Sequence, residues 1–233
     1  ELINVGLTDL EEANRTKAKL FSIIGHDLRS PISQVYQFLK LQQLNPDALN
    51  TEKKNELSNK IQTATGSLLE TMEDLLLWSK TQMNEFKTSL QTVELIPVVE
   101  TCKQLLQLNS DAKNISYQQT INDGDSAQTD TYFLQTIVRN LLQNAIKASP
   151  DNGIINIYTK KRENTIALHI KNDGATFTQE NYLQTLSSQE NSSSINGIGL
   201  RLVDELSKKI NATVTFLMPA NGGTLVEINL KIV

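Results

Sequence analysis

Along residues 1–86 the apolar positions recur at a helical period. Ile3, Leu7, Leu10, Asn14, Lys17, Phe21, Ile24, Leu28, Pro31, Val35 and Phe38 succeed one another at alternating spacings of four and three. That is a heptad seam with polar breaks at Asn14 and Lys17. The stretch LNPDALNT (44–51) is a turn, and Asn50 or Thr51 is placed to cap a second helix. That helix runs to about Phe86, with Leu57, Ile61, Thr65, Leu68, Met72 and Leu75 on its seam. Two long helices around a short turn make a hairpin. One hairpin leaves half of each apolar stripe in water, so the pattern predicts that two copies pair into a dimeric four-helix bundle. Burial against the rest of the same chain is the competing use of that stripe.

From about Leu90 the period changes. Apolar helical stretches (IPVVETCKQLLQL, TYFLQTIVRNLLQNAIKA, IGLRLVDELSKKI) alternate with strand-like ones (IINIYTK, TIALHIK, TVTFLM, TLVEINL). This order predicts an α+β sandwich with helices on one face of a mixed sheet. SSQENSSSING (187–197) is polar, ends in glycine and is expected to be mobile.

Composition narrows the class. The 233 residues suffice for one large domain or two modest ones, and 39% hydrophobic content supports a core. A formal charge of −4 gives no reason to expect nucleic acid or an anionic membrane surface as partner. Cys102 stands alone, which excludes an intrachain disulfide and favours a reducing compartment; in VVETCKQLLQL it reads as a packed thiol. No apolar run reaches the roughly 20 residues that span a bilayer. The chain opens at Glu1 rather than a methionine and is read as part of a longer protein, which leaves membrane attachment upstream open.

One of the two histidines lies in FSIIGHDLRSPIS (21–33). His26 is two residues from Ile24 and two from Leu28, both on the seam. At about 100° per residue it points away from the packed stripe and into solvent. Arg29 and Ser30 share its side of the helix, and Asp27 is adjacent. A neutral imidazole is a competent nucleophile near pH 7, and a neighbouring carboxylate can take the proton it sheds. Pro31 lacks an N–H and clashes with the Asp27 carbonyl, so the helix is expected to bend or loosen there. Taken alone, a solvated His beside an Asp is also ordinary surface.

The whole string resembles the H box of sensor histidine kinases, in which a histidine on a dimeric helical hairpin accepts a phosphoryl group from ATP. The resemblance makes His26 the phosphoacceptor and Asp27 its acid/base partner. Ser30 stands where many relatives use Thr or Asn to orient a water that dephosphorylates a response regulator.

Such a protein needs a nucleotide site downstream. In RNLLQNAIKAS (139–149), Asn140, Asn144 and Lys147 recur at helical spacing. Amide oxygens suit Mg²⁺ and an ammonium suits phosphate, although an ordinary amphipathic helix reads the same way. The segment resembles the family's N box, which implies Asn144 as a Mg²⁺ ligand, Lys147 on phosphate and Asn140 lining the site. Ala148 replaces an aromatic residue frequent in relatives. IALHIKNDGATF resembles the Asp-x-Gly-x-Gly box, whose aspartate binds the adenine amino group. Aligned on Gly174, Asn172 takes the aspartate position and Thr176 that of the second glycine. Strand parity puts Asn172 on the buried face with Ile166, Leu168 and Ile170, and puts His169 outside with Asp173. INGIGLRLVDEL opens an apolar helix with glycines, and backbone N–H groups there can cradle phosphates. Gly197 and Gly199, followed by Leu200, match the end of the family's G-x-G-L-G-L box, with Ile195 in place of its first glycine. Gly222, Gly223 and Thr224 resemble the closing glycine box, and a plain hairpin turn reads the same way.

The resemblance implies an input coiled-coil segment at 1–15, a dimerisation and phosphotransfer domain at 16–86, and an ATP-binding domain at 90–233. It implies ATP and Mg²⁺ as cofactors, a homodimer, a response-regulator receiver domain as partner, no nucleic acid, no membrane contact in this stretch, and a cytoplasmic location. The departures at Asn172, Thr176 and Ile195 motivate an alternative, a catalytically weak or phosphatase-biased signalling scaffold. An ATPase or DNA-repair relative of the same superfamily is a third reading, against which the H box argues.

Overall fold

The computed structural model describes residues 29–44, 51–82, 88–187 and 196–232. His26, Asp27, Ile195, the expected coil at 1–15, the bend ahead of Pro31 and most of the polar run at 187–197 lie outside the described residues. The chain divides into two compact units; among the described residues the first is helical and the second contains all the strands.

In the helical unit, α1 (Arg29–Leu44) packs on α2 (Thr51–Gln82). At 1.5 Å per residue α2 is about 48 Å long. Ala64 and Leu75 are buried, and Val35, Phe38, Leu57, Ile61 and Leu68 are half-buried. Thr65 and Met72, expected on the packed seam, are exposed, and so are Ile32, Tyr36, Leu39, Leu69 and Leu76. Each helix therefore carries more apolar surface than its neighbour covers.

The second unit is an α+β sandwich. A five-stranded sheet runs in the order β2 (Ser116–Thr120), β4 (Ile154–Lys161), β5 (Thr165–Asn172), β7 (Thr224–Lys231), β6 (Thr213–Leu217). Only β2 and β4 are parallel; the other neighbours are antiparallel. A separate ribbon pairs β1 (Gln91–Glu94) with β3 (Ser126–Thr129). The helices α3 (Leu95–Leu105), α4 (Gln107–Asp111), α5 (Thr131–Ala148), α6 (Gln179–Ser187) and α7 (Asn196–Lys209) complete the unit. Ile155, Ile157, Leu168, Ile170 and Ile228 on the sheet, and Leu141, Leu142, Leu202 and Val203 on α5 and α7, are each at most 1% exposed; α5 packs against β5 and α7 against β6. This is the pattern of a sheet covered on one face. The apolar stretch IPVVETCKQLLQL is interrupted at Leu106, whose φ of −99° and ψ of 11° separate α3 from α4 while its side chain stays buried. Cys102 is fully buried, and burial pushes its thiol up to about 12. Among the described residues no helix is long and apolar enough to cross a membrane.

His169 corrects the parity argument. It lies on the face away from the helices, yet is 3% exposed. Tyr158 of β4 stacks on its ring, with centroids 4.6 Å apart and planes 4° apart. Its Nε2 lies 3.1 Å from Oε2 of Glu227 on β7, and Arg162 reaches the same carboxylate at 3.1 Å. On a central strand, cross-strand neighbours alone can bury a side chain on the face that parity marks as solvated.

Candidate functional site

Helix α5 is fixed at both ends. Asp130 caps its N-terminus, accepting from the Phe133 N–H at 3.1 Å through Oδ1 and from the Ser89 N–H at 2.9 Å through Oδ2. At the C-terminus the carbonyls that a helix leaves without partners are all engaged. Ser149 donates to Ala145 from both its N–H and its hydroxyl. Lys113 Nζ donates to the carbonyls of Ile146, Lys147 and Ser149 at 3.2, 2.8 and 2.8 Å. The Ala148 carbonyl accepts from the Ala175 N–H at 3.1 Å. Asn144 and Lys147 therefore sit on a last turn with little freedom to fray.

That turn borders a cavity of about 300 Å³. Asn144 and Lys147 of α5, Asn172 at the end of β5, Leu200 of α7 and Thr224 at the start of β7 all line it. The structure thus brings together five residues singled out in the sequence, drawn from four separate elements. The remaining wall is apolar: Leu141, Ala145 and Ala148 on α5, then Phe177, Phe216 and Val226.

Asn172 is 3% exposed, pairs in register with Thr224, and its Nδ2 has no hydrogen-bond partner. Its neighbour Asp173 is exposed and lies 3.1 Å from Lys171 Nζ. The Thr224 hydroxyl is engaged on both sides: it accepts from the Phe177 N–H at 2.8 Å and donates to the Ala175 carbonyl at 3.0 Å. It thereby ties the 173–177 loop to β7. Gly223 has a φ of +80°, and a Cβ there would strike the Asn172 carbonyl, so the turn into β7 needs glycine for conformation and for room. A Cβ on Gly174 would collide with the Ala148 carbonyl.

Asn140 is placed differently from its neighbours on α5. It is 4% exposed, donates to the Thr136 carbonyl at 2.9 Å, and is not among the residues lining the cavity. Its Oδ1 abuts Gly199, where a Cβ would clash, so Asn140 and Gly199 together let α7 approach α5. Gly197 lies in the first turn of α7. Ser30 falls in α1, in the other unit.

Two wall residues went unassigned in the sequence. Phe177 and Phe216 meet edge to face, with centroids 5.1 Å apart, and Tyr182 leans on Phe216 at 4.8 Å. Burial raises the Tyr182 phenol well above its ordinary value. Helix α6 holds this cluster in place. Thr178 and Asn181 cap it reciprocally at 3.0 and 3.2 Å, and Gln179 accepts from the Phe216 N–H at 2.8 Å. The cavity therefore has aromatic walls although position 148 is alanine. The signals were the T-x-x-N spacing at 178–181 and the alternation of Val214 with Phe216, which marked a core face without marking a cavity.

Chemically, this is an apolar slot with a few convergent polar groups, the usual construction of a small-molecule site. The flat aromatic rings and the incompletely bonded Asn172 amide suit a planar heterocycle with polar edges, and Lys147 with Asn144 suits an anionic substituent. Among the described residues no cluster of His, Cys, Asp and Glu is arranged to hold a metal ion. A cation here would rely on amide oxygen, ligand oxygens and water, which is how Mg²⁺ is commonly held.

Residues 129–233 match the family described as Histidine kinase-, DNA gyrase B-, and HSP90-like ATPase. Histidine protein kinase DivJ of Caulobacter vibrioides is 21% identical over 96% of this chain and 39% of its own length. Sensor histidine kinase YvrG of Bacillus subtilis is 22% identical over 95% of this chain and 39% of its own. The chain thus spans well under half the length of these curated relatives. Among solved structures, the Acinetobacter baumannii histidine kinase AdeS aligns with a TM-score of 0.63 at 17% identity, covering 89% of this chain and 98% of that one. Histidine kinase ThkA, solved in complex with the response regulator protein TrrA, aligns with a TM-score of 0.65 at 18% identity, covering 96% and 66%. At these identities the structural likeness establishes the fold. Residues 129–233 are a domain of that ATPase family. The curated relatives that align with nearly the whole chain are histidine kinases, which the chain as a whole resembles.

Proposed function

We propose that this chain transfers the γ-phosphoryl group of ATP to His26 and then to an aspartate of a response-regulator receiver domain. The imidazole nitrogen attacks the γ-phosphorus, the bond to the β–γ bridging oxygen breaks, and ADP leaves; Asp27 takes the imidazole proton. Positioning and charge neutralisation carry most of such a reaction. The observation that carries the reading is the meeting, in one cavity, of Asn144, Lys147, Asn172 and Thr224 from three elements. Asn172 binds the base edge, the aromatic walls hold its faces, and Thr224 holds the 173–177 loop beneath them. Lys147 meets the phosphates. Asn144 is the protein ligand for Mg²⁺, which supplies charge neutralisation on the phosphates. Gly197 and Gly199 leave the N–H groups at the start of α7 open to phosphate. Asn140 acts by seating α7 rather than by touching nucleotide.

The functional unit is a homodimer. The exposed apolar residues of α1 and α2 are the surface by which two hairpins form a four-helix bundle. Ser30 lies near the phosphoacceptor turn and orients water for the reverse, dephosphorylating reaction. The whole acts on the cytoplasmic side, with 1–15 as the input coil, 16–86 as the phosphotransfer domain and 90–233 as the ATP domain. ThkA with TrrA supports a receiver domain as partner. Incubation with γ-labelled ATP is expected to label the wild type and leave His26→Ala unlabelled. Undiminished labelling of His26→Ala overturns the assignment.

A further inference from the structure

Asn172 is a buried polar side chain of the cavity whose hydrogen bonding the fold leaves incomplete. It is 3% exposed, lines the cavity, and carries an Nδ2 without a partner. The hydroxyl beside it, that of Thr224, is engaged by Ala175 and Phe177. Phe177, Phe216 and Val226 bring no polar side-chain atoms to the same wall. A buried donor left unpaired is unfavourable, and a ligand edge that accepts from it recovers that loss.

A primary amide carries a donor and an acceptor side by side, and a half-turn about its last torsion exchanges them. A 6-aminopurine presents a donor at the exocyclic nitrogen and an acceptor at N1. A 6-oxopurine presents the reverse, an acceptor at O6 and a donor at N1. Each edge complements the amide in one of its two orientations. A carboxylate, which only accepts, complements the first donor and repels O6.

Resting on the nucleotide reading above, we propose that this cavity takes 6-oxopurine nucleoside triphosphates as well as ATP, with Asn172 as the residue that sets this breadth. The fold holds Asn172 at the end of β5 with no protein partner on Nδ2 to fix one orientation of the amide.

The test is displacement of bound trinitrophenyl-ATP from the full chain, with magnesium present, by ATP and by inosine triphosphate. The wild type is expected to bind the two within about tenfold of each other, and Asn172→Asp to weaken inosine triphosphate by about 100-fold while keeping ATP within about tenfold. If the aspartate variant does not fold, Asn172→Ala takes its place and is expected to weaken both nucleotides alike. A wild type that binds ATP but needs about 100-fold more inosine triphosphate overturns the inference and leaves the nucleotide reading standing. Failure of the wild type to bind trinitrophenyl-ATP or either nucleotide overturns both.

Discussion

Replacing Thr224 with valine keeps the shape of the side chain and removes the hydroxyl that ties the 173–177 loop to β7. Two hydrogen bonds go with it, from the Phe177 N–H at 2.8 Å and to the Ala175 carbonyl at 3.0 Å. Each is worth about 1 kcal/mol net, so the loop is expected to lose about 2 kcal/mol of local stability. Ala175 is exposed and its carbonyl can turn to water, so most of the loss falls on the half-buried Phe177 amide. Hydrogen exchange read on the peptide covering 173–178 measures this directly. A loss of about 2 kcal/mol corresponds to roughly 30-fold faster exchange. Thr224→Ser keeps the hydroxyl and should exchange within about threefold of the wild type, since surviving bonds preserve the local opening free energy. Equal exchange in the valine, serine and wild-type chains would refute the claim that the hydroxyl holds the loop. Because Phe177 rides on that loop, the valine variant should also bind ATP more weakly than the serine variant.

Contacts elsewhere in the molecule set further expectations. Asp130→Ala removes the cap of α5 and the anchor for Ser89, and chemical denaturation should show a loss of about 1–2 kcal/mol. Gly174→Ala places a methyl group against the Ala148 carbonyl and should lower stability by about 1–3 kcal/mol, with ATP affinity falling in the same titration. Cys102 should resist thiol reagents at pH 8 until the protein unfolds. Because burial raises its value from 9.0 to about 12, the buried thiol stays neutral where the unfolded one ionises. Wild-type stability should therefore fall relative to Cys102→Ala as pH climbs from about 9 toward 12, by at most about 1.4 kcal/mol per pH unit. Light scattering should give a mass near twice the 26.0 kDa of one chain, and Leu69→Glu with Met72→Glu should lower it toward a monomer.

Much of the fold was legible in the chain. Strands β4 to β7 announced themselves because their apolar residues alternate over five to eight positions and face one layer of helices. Strands β1, β2 and β3 did not, because QTVE, SYQQT and SAQT are short, polar segments that take their conformation from a partner strand. Helix α6 was missed for a related reason: it is anchored by Tyr182 on Phe216 and by a local cap, with too few apolar positions to show a period. Around the cavity, spacing along α5 picked out Asn144 and Lys147. It could not separate them from Asn140, whose amide turns to the Thr136 carbonyl because Gly199 sits over it. Phe177 and Phe216 escaped as wall residues because a loop and a distant strand bring them together, and no periodicity encodes that meeting. His169 escaped because parity names a face without saying what its neighbours cover.

The most direct test of the central claim is where the phosphoryl group goes. The wild-type chain, incubated with ATP and magnesium and kept at alkaline pH, should carry one acid-labile phosphoryl group, located by mass spectrometry to His26. Phosphate found only on an acid-stable serine or threonine, or retained in His26→Ala, would contradict the account.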